Sequence, residues 1–186
     1  MKVIITITES ALPIARTIQR EWLDAEVVRM SDKTFLTEHW KELECVVFVG
    51  AMGICVRTVA PLLNDKYTDP AVICVDSTGK YVIPVVSGHI GGANDYSKRI
   101  AAILGGEAII TTQSDNLGLW AIDTLAQKYG WQTEVDHTRM NLFVYQFVEK
   151  KPTALLLEIR DEGTDYLERT KPNHVKVFYH LEDIPQ

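Results

Sequence analysis

Apolar positions along the first 130 residues alternate between short β-branched runs and longer segments in which they recur every three or four residues. The run VIITIT, from Val3 to Thr8, predicts a buried strand. Ala11, Ile14, Ala15, Ile18 and Trp22 follow at helical spacing, with Pro13 in the first turn, where a missing N–H costs little. DAEVVRMS predicts a short second strand, and Asp32 to Leu43 a weaker helix. CVVFV, from Cys45 to Val49, is a third strand, running through Gly50-Ala51-Met52-Gly53 into a helix over Ile54 to Leu63.

Past the turn-rich NDKYTDP, the runs AVICVD and YVIPVV flank STGK, a connection short enough for a hairpin. SGHIGGAND then leads into the helical NDYSKRIAAIL, which Gly105-Gly106 stops. EAIITT predicts another strand, and Leu117, Trp120, Ala121 and Leu125 a helix ended by Gly130. Beyond it the segments are shorter and more charged. RMNLFVYQFVE fits helix or strand, TALLLEI and VKVFYHL fit strands, and RDEGTDYLERTKPN is turn-like.

Strands alternating with helices imply an α/β fold: a mostly parallel, helix-covered open sheet of Rossmann-like type, with one antiparallel pair from the STGK hairpin. Residues 1–130 form this domain, and residues 131–186 a small α+β linker subdomain, marginal in size for an independent fold.

Composition narrows the function. The 186 residues are 46% hydrophobic and 24% charged, as in globular domains, and the net charge of −6 argues against a broad phosphate-gripping surface for nucleic acid. No stretch approaches the roughly 20 apolar residues of a membrane span, and the first residues lack a signal-peptide pattern, so a cytoplasmic location is expected. Cys45, Cys55 and Cys74 lack paired metal or redox spacing and read as small buried hydrophobes. No structural metal is expected.

In an open α/β sheet, ligands bind where strands give way to helices. Three junctions combine glycine or hydroxyl residues with a helix start: GAMGICVR, SGHIGGAND and TTQSDNLG. Glycine lets backbone approach a ligand, and the first N–H groups of a helix attract anions. Three converging junctions would suit a ligand with several carboxylates. Tight-turn chemistry alone is the plainer reading of each, and nucleotide fingerprints are absent.

His89 is the sharpest candidate, either a general acid or base or a histidine that only hydrogen-bonds its loop. Arg57 is either a carboxylate clamp or a surface ion-pair partner, and Asn94 and Asp95 are either ligand groups or helix caps. Thr111 and Thr112 offer hydroxyls at a strand end. His39, His137, His174 and His180 read as solvated surface residues.

From Gly50 to Asp115 the elements GxMGIxVR, DKxTDPAV, SGHxGGAN and ITT…D occur in order. This stretch resembles the cobalamin biosynthesis protein CbiG family, the cobalt-precorrin-5A hydrolases of anaerobic vitamin B12 synthesis. Gly130 to Gln186 is similar to that family's middle region. Its members usually continue into a C-terminal domain that nothing here resembles, and Gln113 stands where the family often has a small residue.

The resemblance implies a corrinoid substrate with many carboxylate arms, a δ-lactone opened with loss of acetaldehyde, and cobalt carried by the substrate rather than held as a cofactor. His89 becomes the expected acid/base. Backbone N–H groups at Met52, Gly53, Gly91 and Gly92 would bind carboxylates or an oxyanion, and Arg57, Ser87, Asn94, Thr111 and Thr112 would orient side arms. An acidic chain facing a polyanion needs a locally positive pocket, for which Lys66 and Arg57 are the nearest cations. The alternative is a corrinoid-binding or docking module that works with a separate C-terminal domain or another pathway enzyme such as a corrin methyltransferase.

Overall fold

The computed structural model describes residues 1–30 and 34–185. Asp32, the expected start of a helix, lies outside them. By internal packing the chain divides into Met1–Thr112 and Gln113–Gln186.

The first unit is a six-stranded sheet with order β2-β1-β3-β4-β5-β6. Its strands are β1 (Lys2–Thr6), β2 (Ala25–Arg29), β3 (Cys45–Val49), β4 (Ala71–Val75), β5 (Tyr81–Val86) and β6 (Glu107–Ala108). All neighbouring pairs are parallel except β4 and β5, the hairpin pair. The β-branched runs fit this arrangement, because central parallel strands are buried on both faces. Ile4, Val47 and Ile73 point into one core with Ala15, Ile18 and Ile100, whereas Val3, Ile5, Val46 and Phe48 point into the other.

Helices α1 (Leu12–Glu21), α2 (Thr34–His39), α3 (Met52–Val59) and α4 (Ala93–Leu104) cover the sheet. Helix α1 carries Pro13 at its start, as its sequence predicts. Helix α4 ends at Gly105, whose φ of 66° is the left-handed conformation that glycine adopts without a Cβ penalty. Strand β6 is shorter than EAIITT suggests: ladder pairing covers Glu107 and Ala108, and Ile109 adds one bond to the Val82 carbonyl.

The second unit begins earlier than the change of texture at Gly130 suggests. Trp120, Leu119, Ile122, Leu125 and Trp131 pack with Phe147, Leu167 and Val175 in a separate core. The expected single helix there is broken into α5 (Gln113–Asn116) and α6 (Leu125–Tyr129). Gly118, at φ 63°, turns the chain between them.

RMNLFVYQFVE resolves as helix, α7 (His137–Val148), and TALLLEI and VKVFYHL supply β7 (Thr153–Leu156) and β8 (Val175–Phe178), a parallel pair. RDEGTDYLERTKPN is not a turn but contains α8 (Glu162–Thr170). Asp161 caps that helix: its carboxylate accepts the Thr164 N–H at 2.8 Å, and the Thr164 hydroxyl accepts the Asp161 N–H at 2.8 Å. A Cβ on Gly163 would lie 2.2 Å from the Trp131 ring, so glycine is what lets the indole close over the start of α8.

Candidate functional site

The hairpin reversal decides which junctions can meet. Val49, at the end of β3, pairs with Val75, at the end of β4. Val86, at the end of β5, pairs instead with Val72, near the start of β4. These levels are three residues apart, about 10 Å along a strand. GAMGICVR therefore opens at one edge of the sheet, and SGHIGGAND and Thr111-Thr112 at the opposite edge. The three junctions do not converge on one pocket; two of them do.

SGHIGGAND folds into a compact turn that closes on itself. Ser87 takes a left-handed φ of 55°, unusual for a residue with a Cβ. Its hydroxyl donates to the Asp69 carbonyl at 3.0 Å. The N–H groups of Gly92, Ala93 and Asn94 donate to the carbonyls of His89, Ser87 and Gly88 at 2.9, 3.1 and 2.9 Å. The donor expected at Gly92 is thus already used, and the loop itself caps α4. Gly91 is required sterically, since a Cβ there would sit 2.6 Å from the Ser87 Cβ and 3.2 Å from the Ala71 nitrogen.

NDKYTDP buttresses this turn from the same edge. The Asp69 carboxylate accepts the Asn64 N–H at 2.9 and 3.0 Å and the Trp40 indole at 3.2 Å. The Asp65 carboxylate accepts the N–H groups of Tyr67 and Thr68 at 2.8 and 3.1 Å. These two acids read as turn residues in the sequence; the spacing of Asn64, Asp65 and Asp69 was the available signal that they build one. Their folded turn carries Lys66, whose ammonium lies 5.0 Å from the Tyr67 ring centre.

Between the end of β5 with its following turn and the Thr111-Thr112 segment lies a hollow of about 180 Å³ lined by Pro84, Val86, Ser87, Gly88, Asn94, Thr111 and Thr112, with Val85. Asn94 is buried, and its amide donates to the Thr112 hydroxyl at 2.9 Å. Of the expected site residues, Ser87, Asn94, Thr111 and Thr112 are brought together here. His89, Gly91 and Gly92 belong to the same loop but lie outside the lining of the hollow. His89 is half-buried.

Met52, Gly53 and Arg57 are on α3, which starts at the other edge. Gly53 and Arg57 are exposed, and a Cβ on Gly53 would meet nothing within 4 Å. Cys74 donates its thiol to the Gly50 carbonyl at 3.4 Å, holding that junction to β4. All three cysteines are buried and free. Among the described residues, no group of three or more His, Cys, Asp or Glu side chains is placed to hold a metal. Nor is any helix there long and apolar enough to cross a membrane.

An ionic cluster anchors the first turn of α4. The Tyr96 hydroxyl donates to the Glu44 carboxylate, and Lys2 lies 3.5 Å from that carboxylate and 2.7 Å from Asp24. Burial, and then the Glu44 carboxylate, push the Tyr96 phenol well above its ordinary value. The hydrogen bond to Asp24 raises Lys2 despite partial burial. Tyr96 packs on Trp22, with ring centres 4.9 Å apart, so the cluster ties α4 to the chain preceding β2.

Residues 34–115 match the family described as Cobalamin synthesis G N-terminal, and residues 120–183 the one described as Cobalamin biosynthesis central region. A cobalt-precorrin-5A hydrolase of Priestia megaterium is 28% identical across 94% of this chain and 51% of its own. Another, from Salmonella typhimurium, is 49% identical across 44% of this chain and 23% of its own. The chain thus spans about half the length of the first relative and under a quarter of the second. A crystal structure of a cobalamin biosynthesis protein G homolog from Sulfolobus solfataricus superposes with a TM-score of 0.57 at 23% identity, over 94% of this chain and 52% of that one. It shares the fold.

Proposed function

This chain belongs to the cobalamin synthesis G family, and from that premise we propose that it acts as a cobalt-precorrin-5A hydrolase or as the substrate-handling portion of one. The observation that carries this reading is the pairing of the family match over residues 34–115 with a hollow whose lining falls entirely inside it. At about 180 Å³ the hollow is too small for a macrocycle and suits one short carboxylate arm or the edge of a lactone.

The reaction adds the oxygen of water to the lactone carbonyl and expels the ring oxygen as an alkoxide. That alkoxide collapses to acetaldehyde as its carbon–carbon bond to the macrocycle breaks, and the electron pair left on the ring carbon takes a proton. The cobalt travels with the substrate. In this scheme His89 takes the proton from the attacking water and returns one to the ring carbon, a role worth roughly 10²–10⁴-fold in rate. The hydroxyls of Thr111 and Thr112 and the amide of Asn94 hold the arm or the developing oxyanion. The hydrogen bond from Asn94 to Thr112 fixes their spacing, so little reorganisation accompanies reaction.

Met52, Gly53 and Arg57, on α3 at the opposite edge, take no part in this hollow. The second reading is a corrinoid-binding module that works with a separate domain for turnover; the position of His89 outside the lining of the hollow favours it.

Anaerobic incubation with cobalt-precorrin-5A, with acetaldehyde assayed, separates the two. Release by the wild type and its loss in His89→Ala support the hydrolase. Binding without release supports the module, and full release by His89→Ala removes that residue from the chemistry.

A further inference from the structure

Two further hollows lie in the second unit and are lined by none of the residues proposed above to handle substrate. One, of about 450 Å³, has apolar walls from Pro152, Phe178, Ile184 and Pro185, with Lys176 among them. The other, of about 360 Å³, is lined by Lys150, Thr170 and Lys171. They share Asn173 and His174. Each volume lies in the range of small-molecule sites.

Their charge is out of keeping with the rest of the chain. Three lysines and a histidine line the two hollows and no Asp or Glu does, in a protein whose formal charge is −6. None of the three lysines has an ion-pair partner among the described residues. Clustered cations without counter-charges focus a positive potential that draws anions.

Two further observations point the same way. Lys150, just past α7, has a φ of 58° where a helix end favours glycine. A strained residue that keeps a long cation at a hollow's rim suggests selection for the charge. His174 is not the solvated surface residue its context suggests. It is half-buried against Phe147, with ring centres 4.8 Å apart, and its Nε2 has no hydrogen-bond partner among the described residues.

We infer that these adjoining hollows form a binding site for an amphipathic polycarboxylate, its apolar body against Phe178, Ile184 and Pro152 and its carboxylates at Lys150, Lys171 and Lys176. A corrinoid, with its carboxylate fringe set about an apolar ring, presents such anions. The inference is independent of which residues carry out hydrolysis.

Calorimetric titration of the full chain tests it with three probes: cobyrinic acid, a corrin with its carboxylates free; its fully esterified form; and tricarballylate, a tricarboxylate without an apolar body. Cobyrinic acid is expected to bind with salt-sensitive affinity, tricarballylate at least tenfold more weakly and the ester not at all. Neutralising Lys150, Lys171 or Lys176 to Met is expected to weaken cobyrinic acid by roughly tenfold each, and Lys41→Met, on the other unit, to leave it unchanged. Lys150→Gly should raise the melting temperature while weakening binding, which separates the charge from the fold. Ester binding equal to acid, tricarballylate equal to cobyrinic acid, unchanged affinity in the Lys150, Lys171 and Lys176 variants, or equal loss with Lys41→Met each overturns the site. Acetaldehyde release is a separate readout: a protein that turns substrate over with an unaltered KM in these variants loses this inference and keeps the proposed activity.

Discussion

The amide of Asn94 donates to the hydroxyl of Thr112 across 2.9 Å, joining the helix that follows β5 to the segment that follows β6. Asn94 is 3% exposed, so this bond forms out of competition with water.

Removing one partner should therefore cost more than an exposed hydrogen bond would. Asn94→Ala is expected to lose about 1–3 kcal/mol of stability in urea unfolding. Thr112→Val keeps the volume but leaves the amide without its acceptor, so it should fall in the same range. If both variants unfold at the wild-type midpoint, the bond does not hold the two segments together.

Glycines at the two edges should respond oppositely. Gly91→Ala forces a Cβ to within 2.6 Å of the Ser87 Cβ and should destabilise by about 1–3 kcal/mol, with loss of substrate binding. Gly53→Ala meets open space inside α3 and should be neutral or stabilising by up to about 1 kcal/mol. Thermal melts of the pair check the first half. An activity loss in Gly53→Ala without a stability loss would show that substrate approaches α3 closely.

Ser87 combines a left-handed backbone with a hydrogen bond, and the two can be separated. Ser87→Ala keeps the conformational cost and loses the bond to Asp69, so about 0.5–1.5 kcal/mol should disappear. Ser87→Gly loses the same bond but relieves the backbone, and should be the milder variant. Equilibrium unfolding in which alanine is the milder substitution would contradict the geometry.

The second unit should weaken in acid. The Thr164 N–H, and then the Trp131 indole, hold the Asp161 carboxyl below its ordinary value of 3.8, and the Tyr179 hydroxyl, and then Arg160, hold Glu168 below 4.5. A carboxyl depressed by folding adds stability above its unfolded value, and that stability fades as pH falls through the folded value. Unfolding monitored by Trp131 fluorescence should grow easier from about pH 5 downward. Asp161→Asn should flatten that dependence while lowering stability near neutrality. An identical acid slope in the variant would show that another group governs the transition.

Much of the sheet was readable because buried parallel strands write themselves as β-branched runs, and the STGK turn announced the hairpin. What that hairpin does to the edges was not drawn from it. Reversing β5 moves every later junction to the other end of β4, so Gly53 and Thr112 part company although both follow a strand. Helix α8 was hidden by its composition, with Gly163 near its start and a single well-buried apolar side chain, Leu167. The Asp161 and Thr164 cap was the legible signal for it. Trp120 and Trp131 placed the border of the two units, through long-range packing that no local pattern encodes.

The reversal at β5 also has a bearing on inheritance. The turn around Asp69 that buttresses the hollow, the strand pair beneath it and every residue of its lining fall between Asn64 and Thr112. Such a contiguous gene segment can be copied, fused or recombined as one block without dividing the hollow. Genetic exchange that cuts on either side of it would pass on this part of the site whole, while leaving α3 and the second unit free to be replaced.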